Sequence, residues 1–216
     1  MTGISKATSS PIAEIGGYHH ESANHSHTHE YLMPEVYKLL KQLPYPARIF
    51  ELGCGNGATA NELANRGYEV IAVDPSIEGI NLAQTHYHNC QFAIGSAYED
   101  LAGQYGQFDI VLSLEVVEHV FFPRRYAHTI AQLLPPGGTA IISTPYHGYI
   151  KNLALALLNK WDSHADPLWD YGHIKLWTRP KLVQLFQEAG LQETSFSRIG
   201  RIPQLAKSMV FSFRKK

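Results

Sequence analysis

Apolar and polar positions along this 216-residue chain fall into a repeating pattern of short apolar runs and longer mixed stretches. RIFEL at 48–52, EVIAVD at 69–74, CQFAIG at 90–95, FDIVLSL at 108–114 and TAIIST at 139–144 are nearly continuous apolar runs, as expected of strands covered on both faces. The segments between them, 58–65, 77 to about 88 and 123–134, are the intervening helices. Alternation of this kind predicts a parallel sheet between two helical layers. Right-handed crossovers then put a ligand at the carboxyl ends of the strands. Ahead of the first strand, Met33, Val36, Tyr37 and Leu40 share one helical face, Pro34 suits a first turn, and Pro44 and Pro46 close the element.

The alternation breaks twice. Residues 1–29 are rich in Ser, Thr, Gly and His without periodicity and are expected to form a flexible arm outside the core. Residues 146–177 form a long aromatic-rich insertion, after which Thr178 and Pro180 open a helix reaching Glu188, with Gly190 ending it. LQETSFSRIG and SMVFSFR supply two further strands. A single domain over 30–216 is therefore expected, decorated by the insertion. No internal repeat is present.

Composition narrows the class. With 44% hydrophobic residues the chain can bury one sizeable core. Eighteen Lys plus Arg against 19 Asp plus Glu give a net charge of -1, so no overall field favours nucleic acid. Cys54 and Cys90 match no disulfide framework or zinc-ligand spacing, which suits a reducing cytoplasm. The first residues, MTGISKATSSPIAEIGG, lack a signal peptide's apolar region, and nowhere do about 18 apolar residues run together, so membrane contact is expected to be peripheral at most.

The densest chemical signal is ARIFELGCGNG at 47–57, where an apolar run ends in Glu51 and glycines follow at 53, 55 and 57. Gly53, Gly55 and Gly57 tolerate φ > 0 and let backbone N–H groups approach a ligand, while the next helix aims its positive end at the same place. Gly53, Gly55 and Ala58 also satisfy the G-x-G-x-x-A form of the dinucleotide fingerprint, so spacing leaves two ligand classes open. Asp74, followed by Pro75, lies about 20 residues further on, where a carboxylate can accept both ribose hydroxyls of either class. Glu51 separates them. A carboxylate there repels a pyrophosphate but suits S-adenosylmethionine, which carries an ammonium and a sulfonium.

At these residues the chain resembles the class I S-adenosylmethionine-dependent methyltransferases, and within them the small-molecule branch that includes the ubiquinone-biosynthesis O-methyltransferases. SLEVVEHV at 113–120 and LLPPGGTAIIST at 133–144 extend the resemblance, which covers roughly residues 45–215. It implies a Rossmann-like doubly wound α/β fold with a seven-stranded, mostly parallel sheet whose last strand is antiparallel. It implies S-adenosylmethionine as cofactor, with S-adenosylhomocysteine as product. Leu114 and Glu115 would border its methionine half, and Ser96 and Ala97 stand where the family usually places an acidic adenine contact. That last departure removes a charged acceptor; Asp100 would replace it only if its loop folds back. Glu118 is expected on a solvated helix start.

The implied reaction moves a methyl group to a small-molecule acceptor, an aromatic or quinone-like hydroxyl in this branch. Such an acceptor needs a base, and three of the twelve histidines fall at the expected end of the sheet: His119, His147 and His173. His119 and His173 are the catalytic candidates. In the insertion, Ile150, Leu153, Ala154, Leu157, Leu158 and Trp161 share a face that needs covering, first by the protein's own core. A lid over an aromatic acceptor, supported by Trp161, Trp169, Tyr171 and Trp177, is the next reading, and a bilayer surface the third. His19, His20, His25, His27 and His29 include an HSHTH tract, assigned to a solvated tail rather than to a metal. The rival functions are a nicotinamide-dependent oxidoreductase and a non-catalytic S-adenosylmethionine-binding protein.

Overall fold

A computed structural model describes residues 28–162, 164–169 and 172–216. Most of the expected arm, with His19, His20, His25 and His27, and also Tyr171 of the insertion, lies outside the described residues. The arm's last residue belongs to the fold: His29 opens helix α1 (His29–Leu40) and its Nε2 lies 2.7 Å from the Glu62 carboxylate. Leu32, Met33, Val36, Leu39 and Leu40 bury the helix's inner face.

The expected alternation follows as β1 (Arg48–Leu52), α2 (Ala58–Asn65), β2 (Glu69–Asp74), α3 (Ile77–His86), β3 (Gln91–Ile94), α4 (Leu101–Tyr105), β4 (Ile110–Leu114), α5 (Pro123–Leu133) and β5 (Thr139–Pro145). Then come α6 (Tyr149–Leu157), α7 (Arg179–Glu188), β6 (Leu191–Ile199) and β7 (Ser208–Lys215). The strands form one sheet in the order β3-β2-β1-β4-β5-β7-β6, with β7 antiparallel to both of its neighbours. Strand order reverses between β1 and β4, so the connections leaving them run to opposite faces and a crevice opens at their carboxyl ends.

Successive side chains of a strand point to opposite faces, and the core divides accordingly. Phe50, Val111, Ile142 and Phe211 pack with residues of α5 and α7 on one side, while Ile49, Leu112, Ile141 and Val210 pack with α1, α2 and α3 on the other. Each such fully buried side chain contributes roughly 1.5–3 kcal/mol relative to exposure. Short α4 was not apparent from periodicity; Asp100 caps it by accepting from the Gly103 amide at 2.9 Å.

Helix α6 corrects the expectation that the core covers its apolar face. Tyr149, Ile150, Leu153, Leu157 and Leu158 are exposed, and Lys151 is its buried residue. The helix stands over the carboxyl ends of the strands, where the sheet has no side-chain face to offer it. Lys151, Ala154, Leu155 and Leu158 instead line the cavity beneath. Among the described residues no helix is long and apolar enough to cross a membrane.

Candidate active site

A cavity of about 1100 Å³ occupies the crevice, lined by Glu51, Gly53, Gly55, Asp74 and Pro75 at one end and by Leu114, Glu115, Glu118, His119 and His173 at the other. The turn after β1 is tied to β2 by its backbone: the Gly53 and Cys54 amides donate to the Val73 carbonyl at 2.8 and 3.1 Å. Asp74 completes the anchoring, with Oδ2 accepting from the Gly55 amide and Oδ1 from the Ser76 amide, both at 2.8 Å. Gly53 has φ 86, and a Cβ there would come within 2.4 Å of Val116 Cγ2. Glycine is required both by the backbone and by the space.

Glu51 is 3% exposed, and its Oε2 has no hydrogen-bond partner among the described residues. Burial, reinforced by the neighbouring Asp74 charge, pushes its carboxyl up to about 8, against a backbone hydrogen bond from Ala60 that favours ionisation. An unsatisfied buried polar atom costs about 1–3 kcal/mol, so a ligand group that partners it gains this back. Two carboxylates beside an open glycine cradle fit a ligand carrying positive charge next to an adenosine, and they do not fit a diphosphate. The residues present therefore suit S-adenosylmethionine.

A pH dependence follows. A cationic ligand group favours ionised Glu51, so binding expels the proton held below about pH 8. Affinity for S-adenosylhomocysteine, whose ammonium supplies that charge, is expected to rise by up to about tenfold per pH unit from mildly acidic pH toward 8. Calorimetry in buffers of different ionisation enthalpy reads the released proton directly. Without ligand the sign is opposite: the folded pKa lies above the ordinary 4.5, so this group's stabilising contribution is lost as pH rises through that window.

At the far end, Glu115 follows β4 with φ 54, a left-handed conformation that costs a non-glycine residue about 1–3 kcal/mol. Hydroxyls hold its carboxylate: Ser143 Oγ donates to Oε1 at 2.7 Å and Ser208 Oγ to Oε2 at 3.1 Å. Burial dominates these bonds and pushes the group up to about 7. Glu118 is 1% exposed, which overturns the expected solvated helix start. Thr144 Oγ1 donates to its Oε2 at 3.0 Å, Oε1 has no partner, and burial with the Glu115 charge holds its pKa well above the carboxylate range.

The returning end of the insertion brings His173 to this place. Amides of Ile174 and Lys175 both donate to the Glu118 carbonyl at 3.1 Å, and the Trp177 indole donates to the Val117 carbonyl at 3.0 Å. His119 and His173 then lie with ring centroids 5.0 Å apart. His119 Nδ1 is 3.1 Å from the Gly172 carbonyl, an arrangement that makes Nδ1 the donor and leaves Nε2 as the basic nitrogen, 3.9 Å from Glu118 Oε1. Burial, then His119, lowers His173 to about 4, so it is neutral at physiological pH. Glu118, His119 and His173 each offer a ligand atom, all within 4.8 Å of one another. A hydrogen bond from one ring nitrogen to a carbonyl is the outer support that metal-binding histidines commonly use. These three residues can hold a divalent cation, although the sequence assigned none.

Not every expected residue reaches the cavity. Gly57 stands behind the cradle, where a Cβ would meet Ala83 and Phe92 at 2.6 Å, so its role is packing. Ser96 and Ala97 lie at the end of β3 but are not among the cavity's lining residues. The Ser96 hydroxyl accepts from the Tyr98 amide at 3.3 Å, and the Ala97 carbonyl accepts from Thr129 at 2.8 Å. Asp100 caps α4 and does not fold back. His147 is buried and does not line the cavity either. The sequence reading missed Lys151, Arg201 and Ser208, whose positions depend on how α6 and the β6–β7 connection cross the strand ends.

Sheet order, glycine cradle and the acid ending β2 together define the class I S-adenosylmethionine-dependent methyltransferase architecture. The chain belongs to the methyltransferase domain family, whose model matches residues 24–195. A ubiquinone biosynthesis O-methyltransferase of Cereibacter sphaeroides is 34% identical over 154 residues, 69% of this chain and 62% of the relative. Another, from Caulobacter sp. strain K31, is 42% identical over 113 residues, 50% of this chain and 44% of the relative. The chain thus spans between 44% and 62% of the length of these curated relatives. In fold it is similar to a crystal structure of a Pyrococcus horikoshii OT3 protein, with TM-score 0.67 and 20% identity over 88% of this chain and 90% of that one. Magnesium protoporphyrin IX methyltransferase of Synechocystis PCC 6803, solved with bound S-adenosylhomocysteine, superposes with TM-score 0.63 and 18% identity over 85% of this chain and 81% of that one.

Proposed function

We propose that this protein transfers the methyl group of S-adenosylmethionine to a hydroxyl of a small aromatic or quinone-like acceptor. The observation that carries this reading is the sharing of one cavity by a buried, half-satisfied carboxylate beside a glycine cradle and, across the β1–β4 crevice, a carboxylate–histidine cluster. Glu51, Gly53, Gly55, Asp74 and Pro75 would hold the cofactor, with Leu114 and Glu115 along its methionine half. When bound, the cofactor supplies a methyl group on a sulfonium that leaves as a neutral thioether. The chain's own work is to hold the acceptor in line, exclude water beneath α6 and take a proton from the hydroxyl. His119 Nε2 is the base we assign, with neutral His173 as a hydrogen-bond acceptor beside it.

A second reading is favoured by the mutual closeness of the Glu118, His119 and His173 ligand atoms. A divalent cation there would act as a Lewis acid on the acceptor oxygen. Its expected result is a fall of at least about tenfold in turnover after exhaustive chelation, reversed by adding back a divalent cation. The outward apolar face of α6 and two unpaired thiols, Cys54 and Cys90, support peripheral contact with a bilayer from a reducing compartment.

Incubation with methyl-tritiated S-adenosylmethionine and a panel of catechols and hydroquinones tests the main reading. Label is expected in the acceptor with matching S-adenosylhomocysteine release. S-adenosylhomocysteine binding without transfer to any acceptor would instead indicate a non-catalytic binder. Saturable binding of NADH but not S-adenosylhomocysteine would make the protein an oxidoreductase.

A further inference from the structure

Helix α6 turns one lysine inward and most of its large apolar side chains outward. Lys151 is 9% exposed, whereas Tyr149, Ile150 and Leu157 are 82%, 53% and 77% exposed. Hydrophobicity alone would produce the reverse, so something must favour an ammonium at the cavity wall. The protein itself supplies little. Lys151 Nζ has one hydrogen bond, to the Lys207 carbonyl at 3.4 Å, longer than a good N–H···O contact. Among the described residues no carboxylate lies within ion-pair distance of it. The Glu115 charge acts on it favourably but already accepts from Ser143 and Ser208, and the Arg201 charge opposes it.

Lys160, Arg201 and Lys207 line the cavity as well. Arg201 has no hydrogen bond or ion pair among the described residues, and Lys207 rests its ammonium 4.9 Å over the Tyr31 ring. Glu51, Asp74, Glu115 and Glu118 line the strand ends, so the cavity is segregated: acidic along the sheet, basic under α6 and around the β6–β7 connection. Of these cations Lys151 is the buried one, and its removal from water with a single long hydrogen bond costs free energy that a bound anion recovers.

From this arrangement we infer that Lys151, with Arg201 beside it, forms a subsite for an anionic group of the carboxylate class carried by the methyl acceptor. The inference rests on the methyl-transfer reading, which it deepens by giving the acceptor a charge. The cofactor's own carboxylate is the other source of such chemistry. We assign the anion to the acceptor because Lys151, beside the start of β7, lies past Glu115 from the glycine cradle, with β5 between β4 and β7, and the S-adenosylhomocysteine arm of the test separates the two sources. The acceptor is then a phenolic ring with its hydroxyl toward His119 and its carboxylate toward α6.

The test compares 3,4-dihydroxybenzoate with catechol, using the wild type, Lys151→Met and Arg201→Ser. Binding to the S-adenosylhomocysteine-loaded protein is measured by calorimetry and turnover by label transfer. The wild type is expected to prefer the carboxylated probe, and Lys151→Met to reduce that preference on the order of 10–100-fold, the loss typical of a charged hydrogen bond. Arg201→Ser, at an exposed position that does not threaten folding, is expected to reduce it less, in the same direction. An unchanged preference in both variants, or none in the wild type, overturns the subsite. Weakened S-adenosylhomocysteine binding in Lys151→Met with the acceptor preference unchanged would reassign the anion to the cofactor and also overturn it. Preferential binding of the carboxylated probe without any methyl transfer would sink the methyl-transfer reading while leaving the anion subsite standing.

Discussion

Replacing Asp74 by alanine is expected to raise the dissociation constant for S-adenosylhomocysteine by about 100-fold or more and to lower thermal stability at the same time. The side chain serves two purposes at once. Its oxygens accept from the Gly55 and Ser76 amides at 2.8 Å, holding the glycine turn against β2 and starting the turn into α3. They also line the cavity where a ribose would lie. Each charge-assisted bond lost costs about 1.5–3 kcal/mol, and the turn amides left unpaired add to that. Losing a ribose contact together with the shape of the cradle accounts for the expected weakening, since about 1.4 kcal/mol is a factor of ten. Calorimetry and thermal unfolding together check this. Affinity that survives in a folded Asp74→Ala variant would remove Asp74 from cofactor recognition.

Replacing His119 by alanine is expected to reduce kcat by about 10²–10⁴-fold while leaving S-adenosylhomocysteine binding within about twofold. His119 Nδ1 is committed to the Gly172 carbonyl at 3.1 Å, which fixes the ring and turns Nε2 toward the cavity. Its neighbour His173, lowered to about 4, is a much weaker base at neutral pH. His173→Ala is accordingly expected to cost less. The proton-acceptor and metal-ligand roles of His119 both predict the kcat loss, and the chelation experiment separates them. Turnover unaffected by His119→Ala would exclude both.

Much of this architecture can be read from one dimension. Apolar runs located five of the seven strands within two residues, because strands covered on both faces leave an unbroken signature. The glycine turn and Asp74 were legible because their spacing reports a backbone requirement. What the pattern could not report is which surfaces meet. Glu118 follows a strand in a polar-looking segment, yet the insertion returns across it with two amides on its carbonyl and buries it. Lys151 sits in an apolar run whose period suggests packing, yet α6 turns it inward and leaves Tyr149, Ile150, Leu153 and Leu157 exposed. Gly57 shares the motif's spacing but not its place at the cavity: with φ 78 it turns the chain into α2, and a Cβ there would meet Ala83 and Phe92.

Strand β7 has a consequence for how the molecule acquires its pocket. It is inserted between β5 and β6, and its first residue, Ser208, reaches across 93 positions of sequence to Glu115, while Tyr31 meets the same serine across 177. Contacts of such separation form slowly. On a ribosome, the open edge of β5 has to wait for the last strand of the sheet to be made, and a nascent chain halted before β7 would expose that edge to neighbouring chains. Ligand present during synthesis therefore has nothing complete to grip until the β6–β7 pair docks.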